Sequence, residues 1–231
     1  MNLSSARVAA KRYALESKAG QFTDGDWDAL IVEANNQVYH ECIAANPDRF
    51  LHTQQISYPA DAATLNLSTA LTYDFVTINA VWRMPESGAI SRTNRPEYVE
   101  PANHVSDLYN YMSDPRYNSN EATNFRFFVS SNQLQISPIP SSALNLTLYY
   151  VPVPNEPSAD ADPLLSFDNS GSLYPRHHET IVLLAVLRAI AIVEDDPAQF
   201  IGIYNARRRA FMDAVGMDQQ NQEPAQIRRG F

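Results

Sequence analysis

Two short clusters carry the residue types that bind metals or act as nucleophiles. The first is His177, His178 and Glu179, and the second is His40 close to Cys42. Neighbouring residues on a helix do not share a face, so His177 and His178 are badly placed to hold one ion. The same divergence separates His40 from Cys42. The spacing favours a helix N-terminal turn for the first cluster and a small core residue for Cys42.

The other catalytic signatures are absent from the sequence. It has no HExxH pair, no G-x-S-x-G turn, and neither of the glycine-rich phosphate loops, and it contains only seven glycines. We therefore predict that the protein is not an enzyme and needs no cofactor or metal. A metal-dependent hydrolase that uses His177, His178 and nearby acids is a minor hypothesis, which metal analysis of the purified protein tests.

The basic cluster in ARRRAF, residues 206–211, consists of Arg207, Arg208 and Arg209. The side chains of three consecutive arginines point in directions spread over most of the helix circumference, so at least one must face the rest of the fold or an interface. Guanidinium groups pair bidentately and stack on rings. Contact with an acidic partner, the DNA backbone or an adjacent subunit is one interpretation. A solvated helix C-terminal half, favoured by the helix dipole, is the other.

Four helices are expected to position these residues, with approximate bounds 4–18, 26–45, 176–194 and 197–215. Ser4 or Ser5 is expected to cap the first helix, and Gly20 to end it. Asp196 can cap the last helix, which is expected to end at Gly216. In the second helix, apolar residues recur at three- and four-residue spacing, which indicates one buried stripe: Trp27, Leu30, Ile31, Ala34, Val38 and Cys42.

The third helix is apolar nearly all round between Thr180 and Val193, with Arg188 as its one charged residue. A membrane-spanning helix needs roughly 20 apolar residues, and this run is shorter. We therefore expect a helix packed on most of its sides, among the other helices or against another subunit.

The middle of the chain has the composition of antiparallel β-structure. Short stretches rich in β-branched and aromatic residues alternate with turn-forming residues. In LNLTLYY the side chains of Leu144, Leu146, Leu148 and Tyr150 fall on one face. SSNQ, between Val129 and Leu134, predicts a hairpin turn. A helix over 101–113 is expected between strands.

These elements predict an α+β fold, in which N- and C-terminal helices build a bundle with an inserted antiparallel β domain. The expected parts are helices over 1–47, the β domain over 48–151, a proline-rich linker over 152–173, helices over 174–216 and a flexible arm over 217–231. The net charge of −9 argues against a general affinity for nucleic acid. Cys42 is the single cysteine, which excludes an intramolecular disulfide.

Three stretches in this order resemble the head-to-tail adaptor, or connector, proteins of tailed bacteriophages. NPDRF follows the second helix, and QLQISPIPSSALNLTLYYVPVPNEP is similar to a strand, proline turn and strand of that family. The third stretch, which follows a proline-rich acidic linker, is YPRHHETIVLLAVLRAIAIVEDDPAQFIGIYNARRRAFMDA. The resemblance covers about residues 24–216, and a long insert at 91–122 departs from it.

The resemblance implies a homo-oligomeric ring, commonly of twelve copies, between the portal protein and a tail nozzle or tail tube protein. Such a ring extends the DNA channel, through which genomic DNA passes without specific binding, and it does not involve a membrane. The protein would be assembled in the host cytoplasm and reside at the head–tail junction of the virion. The C-terminal arm would dock on the portal, and the residues implied for this contact are Arg228, Arg229 and Phe231.

A binding module is the alternative hypothesis. In this interpretation the β domain recognises a host glycan or another tail protein, and the helices form a trimeric stalk. The sequence contains no heptad pattern sustained over several turns, which a stalk would need. Threefold mass or glycan binding would favour this alternative.

Overall fold

The computed structural model describes residues 1–15, 18–85, 95–104, 125–168, 171, 173–174, 176–193 and 195–221. The chain forms two compact units. A helical unit consists of Met1–Phe50 and Pro154–Phe231, and a β unit consists of Leu51–Val153. The fold is mixed α+β, as the sequence predicts.

The helical unit begins with α1 (Leu3–Ala14) and α2 (Asp24–Ala45). The prediction of a serine cap was wrong, because the Asn2 side chain accepts the Ser5 N–H at 3.0 Å. Thr23 caps α2 in a capping box with Asp26. Helix α1 also ends earlier than expected. Gly20 lies in a 3₁₀ turn, Lys18–Gln21, where an added Cβ would come within 3.2 Å of the Ala14 carbonyl oxygen.

The predicted apolar stripe of α2 is confirmed. Its six members and two additional residues, Asn35 and Tyr39, are buried. Burial raises the pKa of the Cys42 thiol to about 12, so this thiol is protonated at neutral pH. Helix α2 ends at Ala45, before the Asn46–Pro47 dipeptide, as expected from the restriction that proline places on the preceding residue.

The last two helices of the structure differ in burial. We name the four-residue helix Leu67–Ala70 of the β unit α3, so these two are α4 (Glu179–Ile192) and α5 (Ala198–Asn221). Nine residues of α4 are buried in the single chain, where α1, α2 and α5 pack around it. Of the two expected arrangements, packing among the other helices is therefore the one that the single chain shows.

Helix α5 does not end at Gly216, as predicted, but continues to Asn221. The Asp196 carboxylate accepts the Ala198 N–H at 2.9 Å, which confirms its role at the start of the helix. In the part of the chain that the structure covers, every helix is too short or too polar to cross a bilayer.

The described residues between Pro154 and His178 form no regular helix or strand, but several of them are held against the helices. The buried Asn35 side chain of α2 accepts the Leu165 N–H at 2.8 Å. The Leu3 N–H donates to the Asp162 carbonyl at 3.0 Å. Leu164 and Leu165 are fully buried. This stretch therefore contributes to the core of the helical unit.

The β unit is a seven-stranded sheet with the strand order β1-β7-β3-β4-β5-β6-β2. All neighbouring strands are antiparallel except β4 and β5, which are parallel. The strands are β1 (His52–Tyr58), β2 (Thr64–Asn66), β3 (Phe75–Arg83), β4 (Glu97–Pro101), β5 (Arg126–Ser130), β6 (Gln133–Ser137) and β7 (Leu144–Pro152).

Alternation in β7 and the turn between β5 and β6 are both confirmed. The four residues predicted to share a face of β7 are all buried in the core of the β unit. Ser131 and Asn132 have φ values of 47° and 63°, which suits a two-residue hairpin turn.

Two features of the β unit were mispredicted. Strand β4 was missed, and Pro101, expected to begin a helix, is the last residue of this strand. The expected helix over 101–113 otherwise falls mostly outside the described residues. Leu67–Ala70 form the short helix α3, which starts where the Asn66 side chain accepts the Ser68 N–H.

Candidate interaction surface

Helix α5 brings the three predicted arginines onto one element, but they have different surroundings. Arg208 Nε donates to the Glu41 carboxylate of α2 at 3.1 Å. This hydrogen bond is the main reason that the pKa of Arg208 is raised. Arg208 therefore ties α5 to α2 within one chain.

Arg207 belongs to a second polar contact within the helical unit. Its Nε lies 2.9 Å from Glu179 Oε2, at the first residue of α4. The Tyr13 hydroxyl of α1 donates to the other oxygen of the same carboxylate, and this bond raises the tyrosine pKa. One carboxylate thus links α1, α4 and α5. Sequence reasoning missed this contact, because Glu179 is 28 positions from Arg207 and 166 positions from Tyr13, and no local pattern pairs them.

Arg209 is exposed, and among the described residues it forms no ion pair. It belongs to a surface that we call the outer face of α5, which is opposite the buried Phe200, Phe211 and Val215. This face consists of Ala198, Gly202, Ala206, Arg209 and Asp213, and every member is exposed. Ile201 and Ile203, which are 42% and 45% exposed, flank it.

The outer face of α5 has the properties of a helix-packing surface. Small residues at four-residue spacing let another helix approach closely, and the flanking isoleucines supply apolar area. A Cβ added at Gly202 would meet nothing within 4 Å in the single chain.

The two histidines of the first cluster lie at the start of α4, as expected. The His177 ring stacks on Phe211 with centroids 5.0 Å apart, and His178 is buried. Burial lowers the pKa of His178 to about 4. Within the described ranges, no three His, Cys, Asp or Glu side chains are grouped closely enough to hold a metal ion. The two histidines therefore act in packing.

The remaining predicted site residues, Arg228, Arg229 and Phe231, lie outside the described residues. Comparison with protein-family profiles matches residues 1–230 to the SU10 adaptor protein family. The chain belongs to the SU10 adaptor protein family. The resemblance to phage head-to-tail adaptors is thereby confirmed, and this SU10 adaptor family member is a phage structural protein. A comparison with curated proteins found no match.

Proposed function

We propose that this adaptor forms a ring of twelve copies at the head–tail junction of the virion, between the portal and a tail nozzle or tail tube protein. The observation that carries the proposal is the family match over residues 1–230. The four long helices form the body of each subunit as a bundle, and the β unit is an insertion in that bundle. Assembly takes place in the host cytoplasm.

The outer face of α5 is the surface through which neighbouring copies make contact. Its small residues and flanking isoleucines would bury apolar area on assembly. Arg209, which is exposed, can pair with an acid of the next copy. Arg207 and Arg208 support the same contact by fixing α5 on its own subunit.

The channel of the ring lets DNA pass without holding it. The chain has a net charge of −9, so twelve copies carry a large negative charge that repels phosphate. Contact with the portal is made by the arm that follows α5, through Arg228, Arg229 and Phe231. Guanidinium groups suit bidentate pairing with carboxylates on such a partner.

Native mass measurement of the purified protein, alone and mixed with portal, tests the proposal. Twelve copies of the 25.9 kDa chain give about 310 kDa. A protein that stays monomeric both alone and with portal rings would contradict the ring. A threefold mass would favour the alternative, a tail-associated module that binds a host glycan or another tail protein.

Gly202→Leu tests the contact surface separately. The added side chain enters open space in one chain, so the subunit should fold, but it blocks close approach of another helix. Assembly should be lost at unchanged helicity. Gly25→Leu is the matched control, because Gly25 is also exposed on a helix and should leave assembly intact. Equal assembly of both variants would exclude the outer face of α5.

A further inference from the structure

The sheet of the β unit has a gap between β3 and β5. Strand β4 pairs with β3 only at Glu97–Val99 and with β5 only at Glu100–Pro101. The last bond of this ladder is the Ala102 N–H donating to the Phe127 carbonyl at 2.8 Å. Beyond it, within the described residues, no strand separates Phe75–Ala80 of β3 from Phe128–Ser130 of β5.

The gap suits one extended strand. Because β4 is the single strand between β3 and β5, these two strands are separated by about two strand spacings, roughly 10 Å. The gap is an open groove of about 460 Å³. We call it the β3–β5 slot, and its lining includes Phe75, Thr77, Ile78, Pro101, Phe128 and Val129.

The backbone of β5 offers hydrogen-bonding groups to this slot. Successive residues of a strand direct their N–H and C=O groups to opposite edges. The Phe127 carbonyl points to the β4 side, where it accepts from Ala102, so Val129 presents its N–H and C=O to the same side. Phe128 and Ser130 face β6, across the hairpin. The Val129 groups therefore have no ladder partner among the described residues.

The opposite wall is the irregular half of β3. Its pairing with β7 shifts register twice, between Phe75 and Thr77 and between Ile78 and Ala80. Such bulges re-aim side chains and are frequent beside binding sites. None of the ten residues that line the slot is charged, and three of them are phenylalanines. A charged segment would lose its hydration here without a compensating partner.

We propose that the β3–β5 slot binds an extended, uncharged segment of another polypeptide, with apolar side chains at every second position. This segment adds as a strand in line with β4. Its backbone pairs with Val129 and with the slot-facing edge of β3, and its apolar side chains pack on the phenylalanines. All ten lining residues belong to one chain, so strand binding does not depend on ring formation.

The probe is a fluorescent, end-blocked hexapeptide of alternating valine and threonine, added to the full-length protein. Backbone hydrogen bonds supply most of the affinity in this mode, so anisotropy should rise to saturation. Hydrogen exchange of the amides of Phe75–Ala80 and Val129 should slow at the same time. A peptide N-methylated at alternate residues lacks the donors and should not bind. Absence of binding by the unmodified peptide, or equal binding of both peptides, would overturn the proposal.

Two variants locate the site. Val129→Pro removes the slot-facing N–H without breaking a bond to β6, and it should weaken binding by about tenfold or more. Asn79→Lys places a charge in the slot and should also weaken peptide binding by about tenfold or more. Gln55→Lys, on the exposed side of terminal strand β1, is the matched control and should bind normally. Loss of binding in Gln55→Lys alone would place the peptide on β1 and refute the slot.

Discussion

At the scale of single residues, a buried amide sets the path of the irregular segment. Asn35 interrupts the apolar face of α2 and is fully buried. Its Oδ1 accepts the Leu165 N–H, a backbone donor that belongs to neither a helix nor a strand. A buried N–H without an acceptor costs free energy, so Asn35 fixes this segment in place.

Asn35→Ala should lower the free energy of unfolding by about 1–3 kcal/mol, because it leaves the Leu165 N–H unpaired inside the protein. Chemical denaturation measures this loss. Asn36→Ala is the control. Asn36 lies next along the helix but bonds Glu156 in an exposed setting, so its loss should cost less than about 1 kcal/mol. Equal losses for the two variants would contradict the assigned role.

His178 predicts a pH dependence of stability. Burial lowers its pKa to about 4 in the folded chain, from an ordinary value of 6.5. Between these values the unfolded chain binds more protons, so stability is complete above pH 6.5 and falls as the pH drops towards 4. The expected loss is on the order of 3 kcal/mol. In His178→Gln the slope of stability against pH should flatten between pH 4 and 6.5, and an unchanged slope would refute this account.

The surroundings of a single residue could be predicted only where the sequence pattern that determines them is local. The α2 stripe and the burial of Cys42 follow from helical spacing within 16 residues, and both are confirmed. The Arg207–Glu179 and Arg208–Glu41 pairs join residues that only the tertiary fold brings together. The sequence indicated an arginine cluster but not which arginines would be paired.

At the scale of elements, α4 is the helix around which the helical unit is organised. Leu183 and Ala185 are fully buried and Leu184 is 9% exposed, whereas Ile192 at the end of the helix is 62% exposed. Its nearly unbroken apolar run therefore reflects three neighbouring helices in the same chain.

Leu184→Asp should be severe, because it places an unpaired carboxylate in the core. We expect a loss of about 4 kcal/mol or more, or failure to fold, measured as the melting temperature by circular dichroism. Ile192→Asp makes the same change at an exposed position of the same helix and should alter stability by less than about 1 kcal/mol. A wild-type melting temperature for Leu184→Asp would contradict burial of α4.

Elements were predictable where periodicity or turn chemistry was strong. β7 and the β5–β6 hairpin follow from alternation and from turn residues that tolerate positive φ. β4 was missed because EYVEP, with its two acids and a proline, has little β-propensity. Its extended conformation is stabilised by pairing with β3 and β5, which the local sequence does not indicate. The end of α5 was misjudged because Gly216 was taken as a stop signal, although a glycine in mid-helix costs only about 1 kcal/mol.

At the scale of the whole molecule, composition and segment order indicated the family, while subunit number and partner contacts stay predictions. Subunit number and partner contacts depend on surfaces that remain exposed in a single chain. The outer face of α5 could not be identified from the sequence, because Gly202 and Ala206 become informative only once their exposure is known.

Truncation after Asn221 tests the portal arm in the assembled protein. It removes Arg228, Arg229 and Phe231 but leaves α5 at its full length. The truncated chain should keep its melting temperature and its ring mass and should no longer co-sediment with portal. Replacing only the two arginines by glutamine should reproduce most of this loss. Undiminished portal binding by the truncated chain would exclude the arm as the contact.

The pairing of β1 with β7 has a consequence for how such chains diversify. These strands are the first and last of the β unit, and their outer ends meet at His52 and Tyr150. These two residues are about one hundred positions apart in the chain, yet they lie about one strand spacing apart, roughly 5 Å. A few residues could join these two points. Recombination between phage genomes can therefore exchange the β unit without distorting the helices that precede and follow it in the chain.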